Sequence, residues 1–403
     1  MIDRQKKYVF IARGSSHIRY FKAVAAGSSL NIAVIRLSPL HLAPSLIRYA
    51  RITKRVDLEA LVAPHLEKKA IKHPTLRRSV FWPAFVSLTR FLTKFSIAKN
   101  AAIIHRAKAD VVGVWNGQKQ PSAGIAVAAR ALGKEVIYFE NGLLPNTTTC
   151  DWSGVNCKNS LPKDAEFYRR FYVDKTLPCE LVTRKAVREK AAGLGAEHLP
   201  ERYIFVPFQV ETDSQIISNS PWIKNMSQLY SHLSNVIEQV DDADLHIVIK
   251  EHPSEPTRHD HLHQKNTRIV FANHCNTQEL IERAHAVMTI NSTVGIESLM
   301  LGKPVIVLGD ACYDIDGVTH KVQSEQAMLK ALNTLEHLYS NPEVKGGFLH
   351  FLHDHYVIPT TWKNIDEQHI RAISQRLLRQ DVLAQSLDDY KSVRSLQADQ
   401  GVR

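Results

Sequence analysis

The sequence predicts an α/β protein of two doubly wound, Rossmann-like domains facing a cleft, and three observations carry that prediction. Nine short apolar runs recur along the 403 residues, the pattern of strands buried on both faces of a parallel sheet. Helical segments separate several of them at βαβ spacing. A polar, charged stretch at 163–200 then divides the runs into two sets.

The first set holds runs at 8–12, 31–37, 110–115 and 135–139, with a helix expected at 121–132. The second holds 203–208, 245–249, 268–271, 286–290 and 304–308, with helices expected at 222–240, 277–284 and 293–301. The division is therefore an N-terminal domain at 1–162, a helical connection at 163–200, a second domain at 201–345, and C-terminal helices with a tail at 346–403. Residues 376–403 read as a helix and a frayed linker, which would suit a module cut from a longer polypeptide. Ligands of such sheets bind beyond the carboxyl ends of strands, so the residues that follow each run are the first to inspect.

A 44% hydrophobic content is enough for large cores, and a net charge of +11 favours an anionic partner: a nucleotide sugar, an anionic glycan or an anionic membrane. Nucleic acid fits the charge but no nucleic-acid motif accompanies it. With no apolar run of about 18 residues and no signal peptide, a cytoplasmic location is expected. Five cysteines (Cys150, Cys157, Cys179, Cys275, Cys312) form no CxxC pair and read as reduced, buried thiols. His259, His261 and His263 alternate in a polar segment that reads as exposed and solvated rather than as a metal site. Between 49 and 99, cations alternate with Phe81, Trp82, Phe85, Phe91 and Phe95. This is either a helical pair with snorkelling cations or a surface for an anionic membrane or lipid-linked acceptor.

Four segments place polar residues just after strands. In FENGLLP, Glu140 is delivered at a strand end beside Asn141 and Gly142, where a general acid or base would sit next to a backbone that a ligand can approach. The alternative is a carboxylate that caps the next turn. In FQVETDSQ, two carboxylates and two amides follow the strand within seven residues, and Asp213 reads either as a cleft-wall group or as a helix N-cap. In VIKEHP, Lys250 and His252 suit a phosphate or a sugar carboxylate. In TINSTVGIES, Asn291, Ser292 and Thr293 lead into a helix with Gly295 in its first turn, where free backbone N–H groups and hydroxyls would bind phosphate. GxxxxGK[ST], GxGxxG and GxSxG motifs are absent, and Asp314-Ile315-Asp316 lies in a turn-like setting that does not favour chelation.

Together, the stretches FENGLLP…GVNCKNSLPKD, FQVETDSQI, VIKEHP and MTINSTVGIESLMLGKPVIVLGDACYDIDGVTH resemble the capsule polysaccharide synthesis family and its retaining β-Kdo transferases, from about 136 to 320. The resemblance implies a GT-B-like pair of domains, the donor CMP-β-Kdo, and transfer with retention to a glycan or glycolipid acceptor of a capsule or O-antigen. It implies Asp213 as nucleophile and Glu140 as acid/base. Lys250, His252, Asn291, Ser292, Thr293, Gly295, Glu297 and Gln215 would serve the donor, with Glu297 toward the ribose hydroxyls unless it is merely an exposed helix residue. Asn141, Gly142, Asn156, Asn116 and Gln118 are the acceptor-side candidates, on the side where the resemblance is weakest; Asn116 and Gln118, like Gly14 and Ser15, follow strands and have nothing stronger. No cofactor and no essential metal are implied, since CMP as leaving group needs charge stabilisation more than protonation. Peripheral contact with the inner face of the cytoplasmic membrane and with other polysaccharide assembly proteins would follow. The competing readings are another nucleotide-sugar enzyme of the same architecture, an epimerase or an inverting transferase, and a non-catalytic glycan- or membrane-binding scaffold.

Overall fold

The computed structural model describes residues 6–38, 49–175, 177 and 199–400; Cys179 and most of the expected 163–200 connection lie outside them. The chain forms two compact units, Met1–Ser160 with His355–Arg403, and Leu161–Asp354.

The first unit is built on β1 (Tyr8–Ala12), β2 (Ile32–Arg36), β3 (Val111–Trp115), β4 (Glu135–Asn141) and β5 (Thr148–Asp151), in the order β2-β1-β3-β4-β5. The first four are parallel, and every residue of β1 and β3 is buried, as strands covered on both faces require. β5 departs from the sequence expectation. Thr-Thr-Cys-Asp has no apolar run, and the strand is held by antiparallel pairing with β4, Glu140 opposite Thr149, and by a bridge from Thr148 to Ile358.

The C-terminal segment does not stand apart as expected: from His355 onward it belongs to the first unit. The helix Glu367–Leu378 delivers Arg376, which is 2% exposed and donates to the carbonyls of Cys150, His355 and Tyr356 at 2.5, 2.8 and 2.9 Å. Tyr8 Oη donates to Leu377 O, and Trp152 Nε1 to Arg376 O, both at 3.0 Å. Several of these bonds join residues more than 200 positions apart, which no local sequence pattern records.

The second unit is built on β6 (Tyr203–Pro207), β7 (His246–Lys250), β8 (Ile269–Phe271), β9 (Ala286–Thr289), β10 (Val305–Val307) and β11 (His320–Lys321). All are parallel, in the order β11-β10-β9-β6-β7-β8. This is the doubly wound arrangement, with its reversal of strand order between β6 and β9. The helix Met226–Ile237 starts where Asn225 caps Gln228 N at 2.7 Å, four residues after the expected start at 222. Met226, Leu229, Tyr230, Leu233, Val236 and Ile237 recur at helical spacing and fill the core against Ile247 and Ile249. Each such side chain contributes about 1.5–3 kcal/mol by leaving water. Among the described residues no helix is long and apolar enough to cross a membrane.

Candidate functional site

In the second unit the loops leaving β6 and β9 diverge at the point where strand order reverses, the place where open α/β sheets bind ligands. They are tied to each other by buried amides. Gln209 Nε2 donates to Asn291 Oδ1 at 3.0 Å, while Gln209 Oε1 accepts from Asn291 N at 3.2 Å and from Thr289 Oγ1 at 3.3 Å. Asn291 Nδ2 donates to the carbonyls of Gln215 and Asn219 at 2.9 and 3.0 Å. Gln215 Nε2 donates to Asn291 O at 3.2 Å, and its Oε1 accepts from Asn219 Nδ2 at 2.7 Å. Asn291 and Gln215, expected as donor-binding groups, make these bonds within the protein. Asn291 is 2% exposed.

Asp213 is half-buried at the end of the β6 loop and caps the helix Ser214–Asn219. Its Oδ1 accepts from Gln215 N at 3.0 Å and from Ser214 Oγ at 3.2 Å. The capping alternative raised by the sequence is thus realised, and it fixes the carboxylate's orientation at the carboxyl edge of the sheet.

The helix Val294–Met300 begins with fewer open N–H groups than expected. Val294 N donates to Ser292 Oγ at 3.2 Å, and Gly295 N to Ser292 O at 3.0 Å. Thr293 is the N-cap residue and makes no side-chain cap. Gly295 is required by packing: a Cβ there would lie 2.5 Å from Tyr313 Oη, the hydroxyl that donates to Ser292 O. Glu297, for which exposure was the alternative, is buried.

Lys250 Nζ at the end of β7 donates to Cys275 O, and burial lowers its pKa from the ordinary lysine value. His252 is half-buried, its Nδ1 accepting from Ser254 N at 3.1 Å. Beside them lies a group that the sequence misplaced. His259, expected in a solvated loop, is 1% exposed and clamped between two carboxylates. Its Nδ1 lies 3.0 Å from Glu251 Oε1 and its Nε2 3.4 Å from Glu211 Oε1. Burial pushes the imidazole pKa down, but the hydrogen bonds and charges of Glu211 and Glu251 outweigh it and raise it to about 9. Both glutamates are held below the usual range: burial alone would raise them, and His259 together with backbone N–H donors more than offsets it. The signal in the sequence was a glutamate just after each of two neighbouring strands. His261 is exposed, whereas His263 stacks on Phe271 at 4.0 Å. Glu251, Asp260 and His263 could bring one ligand atom each within 4.8 Å, but Glu251 is already committed to His259 and Asn273. Asp314 pairs with Lys321 at 2.6 Å and Asp316 is exposed, so the Asp-Ile-Asp pair does not converge.

In the first unit, Glu140 is the penultimate residue of β4. Its Oε2 accepts from Asn116 Nδ2 at 2.5 Å, and its Oε1 from Asn141 N and Nδ2 at 2.9 and 3.1 Å. Asn116 adopts φ +63°, and its Oδ1 accepts from Gln118 N at 3.0 Å. Gln118 Nε2 donates to Val155 O at 2.9 Å. Gly142 leaves no room for a ligand: a Cβ would lie 1.8 Å from Thr147 Oγ1, so the chain's own turn makes the close approach. Asn156 opens a short turn at φ +57°. Gly14 caps the helix Ser15–Gly27 and Ser15 is its first residue. Missed by the sequence reading are Trp362, whose Nε1 donates to Asn141 Oδ1 at 2.8 Å, and His17, stacked on Trp115 at 4.4 Å. Trp115 and Trp362 are themselves 4.8 Å apart. Cys150 and Cys312 are buried as expected, while Cys157 and Cys275 are half-buried.

A family model described as capsule polysaccharide biosynthesis protein matches residues 172–341. Protein FixF of Sinorhizobium fredii is 33% identical over 312 residues, covering 76% of this chain and 75% of its own. The chain belongs to the capsule polysaccharide biosynthesis family. The capsule polysaccharide export protein KpsS of Escherichia coli is 25% identical over 256 residues, 48% of this chain and 65% of KpsS. The solved structure of Thermosulfurimonas dismutans KpsC, described as a beta Kdo 2,7 transferase, aligns with 85% of this chain and 89% of its own at a TM-score of 0.44 and 16% identity. The stretch matched by the capsule family model contains Asp213, Lys250, His252 and 291–297, whereas Glu140, Asn116 and Asn156 lie outside it.

Proposed function

We propose that the protein is a retaining glycosyltransferase that moves Kdo from CMP-β-Kdo to a glycan or glycolipid acceptor in bacterial surface polysaccharide assembly. The observation that carries the reading is Asp213, a carboxylate oriented by its cap at the switch point of the doubly wound sheet in a chain of the capsule family. In the first displacement an Asp213 oxygen bonds to C2 of Kdo while the C2–O bond to CMP breaks and its electron pair leaves on the phosphate. Lys250, His252 and the Ser292–Gly295 turn stabilise that charge, and Glu297 takes the ribose hydroxyls. In the second displacement the acceptor hydroxyl bonds to C2, its proton passes to Glu140, and the Asp213 carboxylate is released with the starting configuration restored. No step requires a metal, since nothing but the phosphate charge must be stabilised as CMP departs.

The test is incubation with CMP-Kdo and candidate acceptors, with the anomeric configuration of the product read by NMR. Acceptor-dependent CMP release with a β-linked product is expected, and Asp213→Asn should abolish it while CMP still binds. Near-normal turnover by that variant removes the nucleophile; interconversion of UDP-sugars in its place marks the protein as an epimerase.

A further inference from the structure

The helix Trp82–Arg106 and the turn before it carry an apolar stripe that nothing in the first unit covers among the described residues. Phe81, Ala84, Leu88, Phe91, Leu92 and Phe95 follow one another at intervals that return to one helix face. Val80 is 87% exposed, Phe81 71%, Phe91 65%, Leu88 54%, Leu92 53% and Phe95 37%. The same helix becomes an ordinary core helix from Ile97 onward, where Ile97, Ala98, Ala101, Ala102 and Ile104 are buried against the first sheet. Large apolar side chains exposed in a contiguous row mark a surface that is covered in use.

Charge identifies what covers it. Between 49 and 99 the chain has eleven lysines and arginines and three carboxylates, Asp57, Glu59 and Glu67. Arg51, Lys54, Arg55, Lys72, Arg77, Arg78, Arg90 and Lys94 are exposed, and of these Arg90 pairs with Glu59 at 2.7 Å. A second copy of the chain is a poor occupant. It would bring like-charged rims together, and six side chains in a row fall short of the roughly 20–30 residues a side that a stable interface uses. An apolar stripe beside a cationic field is the pattern of a helix lying in the headgroup layer of an anionic bilayer.

We propose that this helix face docks the protein on an anionic lipid membrane, Phe81, Leu88 and Phe91 entering the acyl boundary and the surrounding cations meeting the headgroups. The inference does not depend on which sugar is transferred. It is tested by co-sedimentation of the full chain with vesicles of phosphatidylcholine alone and of phosphatidylcholine with phosphatidylglycerol, at low and high salt. Binding to the phosphatidylglycerol vesicles that weakens with salt is expected. Phe81→Ser with Leu88→Ser and Phe91→Ser should lower the partition coefficient at least tenfold, and Arg77→Ala with Arg78→Ala should lower it severalfold and flatten its salt dependence. Because these residues are exposed, thermal melts of both variants should match the parent. A further variant, Phe91→Trp, should gain blue-shifted emission on adding the anionic vesicles. Equal partition of parent and serine variant, binding indifferent to phosphatidylglycerol, or a dimer in sedimentation velocity that Phe91→Ser dissolves would each overturn the proposal.

Discussion

Gln209 and Asn291 hold each other by two hydrogen bonds, from Gln209 Nε2 to Asn291 Oδ1 at 3.0 Å and from Asn291 N to Gln209 Oε1 at 3.2 Å. This pair clamps the loop carrying Asp213 to the loop carrying Ser292, on the two sides of the point where strand order reverses. Asn291→Ala orphans Gln209 Nε2 and removes one donor from the carbonyls of Gln215 and Asn219, the latter keeping Asp310 N at 2.8 Å, and a buried orphan costs about 1–3 kcal/mol. The melting temperature should fall by roughly 5–10 °C. Gln209→Ala combined with it should cost less than the two single changes added, because both break the same bonds.

Asp213 combines two roles that substitutions can separate. Asparagine caps a helix about as well as aspartate, while alanine forfeits about 1 kcal/mol. Asp213→Asn should therefore melt like the parent and Asp213→Ala somewhat earlier, yet both should lose transfer. A variant pair whose activities follow their melting temperatures would make Asp213 a cap and nothing more.

Which of these features the sequence disclosed follows from how local they are. Strands β1 to β4 and β6 to β10 were legible to within two residues at each end because an apolar run between turn signals is a local property. β5 and β11 were not, because they are edge strands with little apolar content, made by pairing with a neighbour. The same distinction governs the candidate site. The places of Lys250, Ser292 and Asp213 at the sheet edge were legible because each lies within five residues after an apolar run, whereas the contacts of His259 involve glutamates 48 and 8 residues away. Trp362 reaches Asn141 across 221 residues, and nothing in its neighbourhood of the chain announces that.

The clamped histidine makes stability depend on pH with a defined sign. The pKa of His259 is raised from 6.5 in the unfolded chain to about 9. Its contribution is complete below pH 6.5 and is lost as the pH rises through about 9, an effect of a few kcal/mol. Glu211 and Glu251 are depressed below 4.5, so theirs is complete above pH 4.5 and is lost on acidification through their folded values. The denaturant midpoint should be highest between about pH 4.5 and 6.5 and decline toward pH 9. His259→Gln should lower the plateau and remove the alkaline decline; a midpoint independent of pH over that interval in the parent would show that the imidazole is not held charged.

Gly295 tests what the glycine in the first turn of the helix Val294–Met300 is for. A Cβ would meet Tyr313 Oη at 2.5 Å, so Gly295→Ala must displace Tyr313 and break its bond to Ser292 O, costing about 1–3 kcal/mol. Tyr313→Phe removes the hydroxyl alone, at about 1 kcal/mol. Both should raise the KM for the donor nucleotide and leave that for the acceptor unchanged, since Ser292 belongs to the β9 loop. An acceptor-side KM effect would place the turn elsewhere in the reaction.

Asn116 is the corresponding probe on the first unit. It sits at φ +63°, donates to Glu140 Oε2 at 2.5 Å and orients Gln118 through its Oδ1. Asn116→Gly keeps the left-handed backbone without strain and deletes both contacts; Asn116→Ala deletes them and adds about 1–2 kcal/mol of backbone strain. A hydrogen bond to a charged group is worth about 1.5–3 kcal/mol, so losing this one should slow acceptor-dependent turnover by roughly tenfold or more in both variants. Their melting temperatures should differ, with alanine the lower, while their turnover should not. If turnover instead tracks the melting temperature, Asn116 shapes the loop and does not set the reactivity of Glu140.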